Sequence, residues 1–509
     1  MEPVRLDVAV VGAGFAGLYL LHKLRGQGLR VRVYEAAPDI GGTWYWNRYP
    51  GARCDVESMQ YSYSFDEDLQ QEWNWTERFA TQPEILRYIN HVADRFDLRC
   101  DIQLDTRIAT ARWDEGAGLW RLETARGERI EASFCIMATG CLSASRLPDI
   151  PGIDSFGGET YHTGQWPHHP VDLAGKRVAV IGTGSSGIQA IPELARLSGQ
   201  LTVFQRTPTF TVPARNAALS AETVAEWKDS YCERRHYART ATPTGTIYDF
   251  ATCSALAVDD AAREATYAAR WQKGGANFMH AYNDLLLDER ANDTAAEFVR
   301  ARIRETVKDP DLARRLSPTG FPIGTKRICV DTDYYATYNR DNVTLVDLRD
   351  TPIEAIVPEG VRTTGGVREF DVIVFATGFD ALTGALSRID IRGMKGLALT
   401  EKWAAGPRNY LGLMSAGFPN LFTVTGPLSP SVLSNVIVSI EQHVEWIAAC
   451  LAWLRERGIT RIEADWAAED AWVDHVREVA AATLYLKANS WYLGANVPGK
   501  PRVFMPYMG

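Results

Sequence analysis

The sequence predicts an α/β protein made of two Rossmann-like units with a helical insertion. Three features carry that prediction. A strand, a glycine-rich turn, a helix and a second strand follow one another twice along the chain. Each unit is followed further on by an apolar run that ends in Ala-Thr-Gly, at Cys135–Gly140 and at Val374–Gly378. From Ala214 to about Asp311 the composition shifts to Ala, Glu and Arg, the residues of helices with one solvated face. A chain of 509 residues is too long for one core. The expected division is residues 1–140 with 380–509 for the first nucleotide domain, 141–213 with 325–379 for the second, and 214–324 for a helical insertion within that second domain.

In the first unit, Leu6–Val11 is an apolar run suited to a parallel strand buried on both faces. Gly12-Ala13-Gly14-Phe15-Ala16-Gly17 follows, and Leu18–Leu24 then spaces its apolar residues as a helix does. Gly28 closes that helix, and Val31–Tyr34 is a second strand ending at Glu35. Gly12, Gly14 and Gly17 allow a tight turn and bring a pyrophosphate close to the helix N-terminus, where free N–H groups and the helix dipole favour an anion. Glu35 stands where a carboxylate accepts hydrogen bonds from an adenosine ribose, which suits FAD or NAD.

The second unit repeats this plan with one change. Arg177–Ile181 is the strand, Gly182-Thr183-Gly184-Ser185-Ser186-Gly187 the turn, Ile188–Leu197 the helix and Leu201–Phe204 the next strand. The position equivalent to Glu35 is Gln205, and Arg206-Thr207 follow it. Loss of the carboxylate removes repulsion with a ribose 2′-phosphate, and an arginine supplies a planar fork for it. The second site therefore points to NADPH; a solvated loop charge is the alternative for Arg206.

Composition excludes several classes. A formal charge of -9 argues against a nucleic-acid surface. The eight cysteines are scattered without a Cys-x-x-Cys pair, as expected of reduced thiols in a cytoplasmic protein. No histidine cluster has metal-ligand spacing, so no metal is expected. The N-terminus lacks the basic and apolar regions of a signal peptide, and no apolar run is long enough for a membrane span. The 15 tryptophans fit a large aromatic core as readily as a stacked cofactor.

Two nucleotides on one chain leave open a disulfide reductase, an electron-transfer reductase or an oxygenase. Cys54 has no sequence neighbour to form a redox pair, which removes the first. The stretch between the glycine motifs reads Phe156-Gly157-Gly158-Glu159-Thr160-Tyr161-His162-Thr163-Gly164-Gln165-Trp166-Pro167. A second long motif runs Gly41-Gly42-Thr43-Trp44-Tyr45-Trp46-Asn47-Arg48-Tyr49-Pro50-Gly51-Ala52-Arg53-Cys54-Asp55. These resemble the fingerprints of the type I Baeyer–Villiger monooxygenases. The likeness extends through Gly324-Thr325-Lys326-Arg327 and the segment from Ser490 to Lys500, so it spans nearly the whole chain.

The resemblance implies a monomeric enzyme that uses FAD, NADPH and O2 to insert oxygen beside a ketone carbonyl through a C4a-peroxyflavin. Esters or lactones are the expected products, aryl or other apolar ketones the expected substrates, and sulfide oxidation a side activity. By resemblance Arg327 is catalytic and Asp55 its acidic partner beside the flavin. The resemblance adds Gly42, Thr43, Trp44, Tyr45, Trp46, Tyr61, Ile108 and Val436 as FAD contacts. It adds Arg53, Gln189, Lys326 and Trp491 to the NADP site, and Ser431, Val432 and Leu433, with Trp491, to the substrate space. An arginine suits this chemistry on physical grounds as well: it keeps its charge in a dry pocket where negative charge builds on oxygen. A purely structural Asp55–Arg327 pair is the alternative. His162 reads as a hydrogen-bonded hinge residue and His168-His169 as an exposed loop. Two rivals stay open: a flavin monooxygenase acting on amines or sulfides, and a flavoprotein that binds its nucleotides for structure or regulation.

Overall fold

The computed structural model describes residues 3–508. In chain order its strands are β1 (Val4–Val11), β2 (Val31–Tyr34), β3 (Ile102–Gln103), β4 (Ile108–Asp114), β5 (Leu119–Thr124), β6 (Arg129–Met137), β7 (Glu159–His162), β8 (Arg177–Ile181) and β9 (Gln200–Gln205). There follow β10 (Thr211–Pro213), β11 (Cys329–Asp331), β12 (Val343–Asp347), β13 (Ile353–Val357), β14 (Gly360–Thr363), β15 (Gly366–Glu369), β16 (Val372–Phe375), β17 (Asp390–Arg392) and β18 (Leu421–Thr423). The first sheet has the order β17-β4-β5-β6-β1-β2-β3, with β18 paired to the far end of β6. The second is a five-stranded parallel sheet, β12-β9-β8-β16-β7.

Residue type explains the difference between strands. In β16 the run Val-Ile-Val-Phe is buried at every position, as a parallel strand covered on both faces requires. In β5, a member of the antiparallel β4–β5–β6 ribbon, Trp120, Leu122 and Thr124 are buried while Arg121 and Glu123 face water. Trp120 is fully buried and donates its Nε1–H to Pro419 O at 2.8 Å, so its one polar atom is satisfied.

The two glycine turns are near-copies. Gly12 and Gly182 have φ of +106° and +113°, which only glycine adopts readily. Gly12 N–H donates to Tyr34 O on β2, and Gly182 N–H to Phe204 O on β9. A Cβ on Gly12 would lie 2.5 Å from Ala138 O, and one on Gly182 would lie 2.5 Å from Ala376 O. This corrects the sequence expectation for the two Ala-Thr-Gly runs: β6 ends at Met137 and β16 at Phe375, one residue before each alanine. The alanine carbonyls turn onto the glycines, and the chain then leaves the sheet to cross between the units. The helices after the turns also start earlier than expected, at Phe15–Gly26 and Ser185–Leu197, because the turn residues themselves form the first helical coil.

Within 214–324 the α-helices are Ala221–Asp229, Tyr231–Ala241, Asp260–Lys273, Glu289–Thr306 and Pro310–Leu316, joined by long irregular stretches. Their apolar faces divide between two cores. Trp227 and Tyr231 join Tyr63, Tyr88 and Ile89 of the first unit. Tyr267, Phe278, Phe298 and Val299 join Val178, Ile191 and Val203 of the second. Among the described residues no helix is long and apolar enough to cross a membrane, and no group of His, Cys, Asp and Glu is arranged to hold a metal ion.

Candidate active site

The first cradle is built from backbone. Gly14 caps Phe15–Gly26 with no side-chain hydrogen bond, which leaves the amide groups of the first helical coil free for an anion. Gly42 packs against it: a Cβ on Gly42 would stand 3.0 Å from the Gly14 Cα. Glu35 is buried, and its two carboxylate oxygens accept from Ala13 N at 2.7 Å and Ala37 N at 2.8 Å. It thus braces the turn whatever else its oxygens hold. Trp44 Nε1 donates to Tyr61 OH at 3.2 Å, and Phe15 meets Tyr61 edge-on. Ile108 lies in the core beside Val11 and Tyr34, and Val436 opens the helix Val436–Glu456.

The second cradle is similar. Gly184 caps Ser185–Leu197 without a side-chain bond, and a Cβ there would meet nothing within 4 Å. Thr183 Oγ1 donates to Thr207 O at 3.0 Å, and Thr209 Oγ1 donates to Thr183 O at 2.9 Å, so the turn is stitched to the segment that carries Arg206. Arg206 is exposed, and Lys326 Nζ sits over the Phe321 ring at 4.6 Å. Burial, and then the nearby Arg206 charge, pull the Lys326 ammonium below its ordinary pKa. Two neighbouring cations suit a dianionic ligand.

Both cradles fit dinucleotides: each offers a glycine-capped helix N-terminus with unclaimed amides, and the second adds a basic pair. The Tyr49–Arg53 motif joins them. Tyr49 OH donates to Gln189 Oε1 at 2.8 Å, Gln189 Nε2 donates to Arg53 O at 3.0 Å, and a Cβ on Gly51 would collide with Gln189 O. The Arg53 guanidinium turns elsewhere, to Glu77 Oε2 and Phe79 O, both at 2.9 Å.

Asp55 and Arg327 meet where the cradles converge. Arg327 Nε and Nη2 each donate to a different Asp55 oxygen at 2.8 Å, a bidentate pair from positions far apart in sequence. Arg327 Nη1 donates to Val432 O at 2.8 Å, which ties the guanidinium to the Ser431–Leu433 turn. The Asp55 carboxylate holds the guanidinium charged, well above its usual range, against the burial that opposes it. The side chains keep 29% and 23% exposure, so the pair is not sealed off from solvent. Ser431 and Val432 are buried, and Trp491, half-buried, packs against Tyr492 with ring centroids 4.3 Å apart.

Some groups at this site have no sequence signal of their own. Tyr492 is buried beside Arg327; burial pushes its phenol up to about 12 while the guanidinium pulls the other way. The Val432 contact uses a main-chain carbonyl, which no motif encodes. Cys329 Sγ lies 3.3 Å from Ser185 Oγ at the mouth of the second cradle. His162 is buried on β7, accepts from Gly164 N at 3.0 Å and lies 3.4 Å from Thr377 Oγ1 on a crossover, away from the Asp55–Arg327 pair.

Residues 5–217 match the family model described as flavin-binding monooxygenase-like. An acetone monooxygenase (methyl acetate-forming) of Gordonia sp. (strain TY-5) is 45% identical, covering 100% of this chain and 96% of that protein. A Baeyer–Villiger monooxygenase of Pseudooceanicola batsensis is 43% identical over 99% of this chain and 92% of its own. Among solved structures, an oxidized steroid monooxygenase bound to NADP superposes with a TM-score of 0.95 at 52% identity, covering 99% of this chain and 95% of that one. The OTEMO complex with FAD and NADP gives 0.96 at 41% identity, over 100% and 96%.

Proposed function

The chain belongs to the type I Baeyer–Villiger monooxygenases, and from that membership we propose that it converts aryl or other apolar ketones to esters or lactones, with sulfide oxidation as a side activity. It is a flavin-dependent monooxygenase that uses FAD and NADPH. The bidentate Asp55–Arg327 pair at the meeting point of the two cradles carries the reading. When bound, the flavin supplies activated oxygen at the expense of reducing equivalents from the nicotinamide.

The residues of the chain do the rest. The helix N-termini at Gly14 and Gly184 take the pyrophosphates, and Arg206, Thr207 and Lys326 take the 2′-phosphate. Arg327 stabilises the negative charge that builds on oxygen as it attacks the carbonyl, and its permanent charge cannot be lost to burial. Asp55 fixes the guanidinium plane and balances its charge when no substrate is present. Trp491 and the Ser431–Leu433 turn cover the cleft and exclude water, which strengthens each electrostatic contact inside it.

Relatives are named for substrates as different as acetone and a steroid, so the substrate class is argued from the lining. Val432, Leu428, Ala381, Leu382 and Tyr492 form one apolar cluster around the turn that Arg327 holds, and Leu433 packs on it. That surface favours a ketone with an apolar or aromatic flank. A panel of aliphatic, cyclic and aryl ketones tests this by following NADPH consumption together with ester formation. Apolar and aryl ketones should give ester in step with NADPH. A thioether supplied in competition should yield only minor sulfoxide; preferential sulfoxidation would instead favour a monooxygenase of soft nucleophiles.

A further inference from the structure

The last segment of the chain spans both crossovers between the nucleotide units. The crossovers are themselves zipped together: Asp380 N donates to Ala144 O at 2.8 Å, Leu382 N to Cys141 O at 2.7 Å, and Thr377 Oγ1 to Arg146 O at 2.8 Å. Four polar links then fasten the end segment onto them. Lys500 Nζ donates to Asp380 Oδ1 at 2.5 Å and to Ala381 O at 2.9 Å. Asn496 Nδ2 donates to Phe379 O at 2.7 Å, and Arg146 Nη1 donates to Asn496 O at 3.2 Å.

The same segment reaches the substrate side. Met505 N donates to Tyr492 O at 2.9 Å, Leu428 N to Met505 O at 2.6 Å, and Tyr507 N to Ser429 O at 2.9 Å. It therefore carries Trp491 and Tyr492 and also grips the stretch that leads into Val432, the residue bonded to Arg327. From Ala495 to Gly499, beyond the buried Tyr492 and Leu493, the chain buries little apolar surface, since Ala495, Pro498 and Gly499 are exposed. A stretch with so few apolar contacts opens easily unless polar links hold it. Of those links, Lys500–Asp380 is the one that joins two opposite charges, and the Lys500 side chain is only 13% exposed.

We propose that Lys500 is a positioning residue for oxygen transfer: clasped to Asp380 and the Ala381 carbonyl, it locks the end segment over both crossovers and so holds Trp491, Tyr492 and the Val432 turn around the Arg327 guanidinium. The proposal rests on the monooxygenase reading above. Lys500 touches neither cradle. Its loss should leave hydride delivery to the flavin intact and open the cleft during the oxygen-transfer step, so that reduced oxygen escapes as hydrogen peroxide.

The test uses the FAD-loaded protein with Lys500→Met, Lys500→Arg and Asp380→Asn. Ester formed per NADPH consumed should fall about fivefold in Lys500→Met, with hydrogen peroxide making up the balance. The rate of anaerobic flavin bleaching by saturating NADPH should stay close to that of the unaltered enzyme. Lys500→Arg, which keeps the charge, should recover much of the coupling, and Asp380→Asn should show the same uncoupling more weakly. If Lys500→Met does not fold, Asp380→Asn decides by itself, since it keeps shape and removes only the charge. Unchanged coupling with a lowered melting temperature would make the clasp merely structural and overturn the proposal, as would an equal loss of flavin reduction and ester. If the unaltered enzyme makes no ester from any ketone, the monooxygenase reading fails instead.

Discussion

At the scale of single residues, the role proposed for Arg327 depends on the orientation its neighbours set. Two of its nitrogens are fixed by Asp55 and a third by Val432 O, so the guanidinium plane is determined before substrate arrives. Arg327→Ala should cut ester formation by at least about 100-fold while flavin reduction by NADPH changes little, as stopped-flow and product analysis would show. Lys326 gives a pH prediction. Its ammonium already sits below the ordinary lysine range through burial and the Arg206 charge, so it loses its proton at a lower pH than a free lysine. Below that pKa it is charged and attracts the 2′-phosphate; as pH rises through it, NADPH binding weakens. The KM for NADPH should therefore climb at alkaline pH below the ordinary lysine value of 10.5, and that for NADH should not. Legibility differs between these residues. Arg206 follows from strand, turn and helix geometry, whereas Arg327 and Asp55 lie far apart in sequence and only a family resemblance pairs them. The Val432 carbonyl has no local signature, and Lys500 closes the family-like Ser490–Lys500 segment with nothing in the sequence to pair it with Asp380.

At the scale of elements, the glycine turns were readable because each glycine has a steric reason. Gly12 and Gly182 adopt φ values forbidden to other residues, with a neighbouring carbonyl where a Cβ would stand. Gly182→Ala should leave FAD bound and raise the KM for NADPH by more than about tenfold, whereas Gly12→Ala should yield protein purified without flavin. Absorbance of the purified proteins and steady-state titration with NADPH separate the two. What periodicity did not yield was the ends of the strands that feed the crossovers. Ala138 and Ala376 continue an apolar run, yet they leave the sheet because their carbonyls must pack against the glycine turns.

At the scale of the whole molecule, three long-range ties make one enzyme of two nucleotide folds: the Tyr49–Gln189–Arg53 contacts, the zipped crossovers and the helical stretch shared between two cores. The last of these is anchored by a buried charge. Arg235 donates to Gln60 O and to Ser62 O and lies 3.8 Å from Glu441, which itself accepts from Ser64 N and Oγ. Removing one partner leaves an uncompensated buried charge, so Glu441→Ala should destabilise the flavin-loaded protein by about 3 kcal/mol, measured by urea unfolding. Composition announced the helices of this stretch but not their division between cores, because Trp227 and Tyr267 look alike in sequence and differ only in what they pack against. The proposed activity inserts one atom of O2 into a ketone under the guidance of Arg327. It is tested most directly by running the enzyme with NADPH, an aryl ketone and oxygen-18 gas and weighing the product. The product should be ester carrying a single labelled oxygen atom, formed in step with NADPH and absent from Arg327→Ala. NADPH consumption that yields labelled hydrogen peroxide and no labelled ester would contradict it.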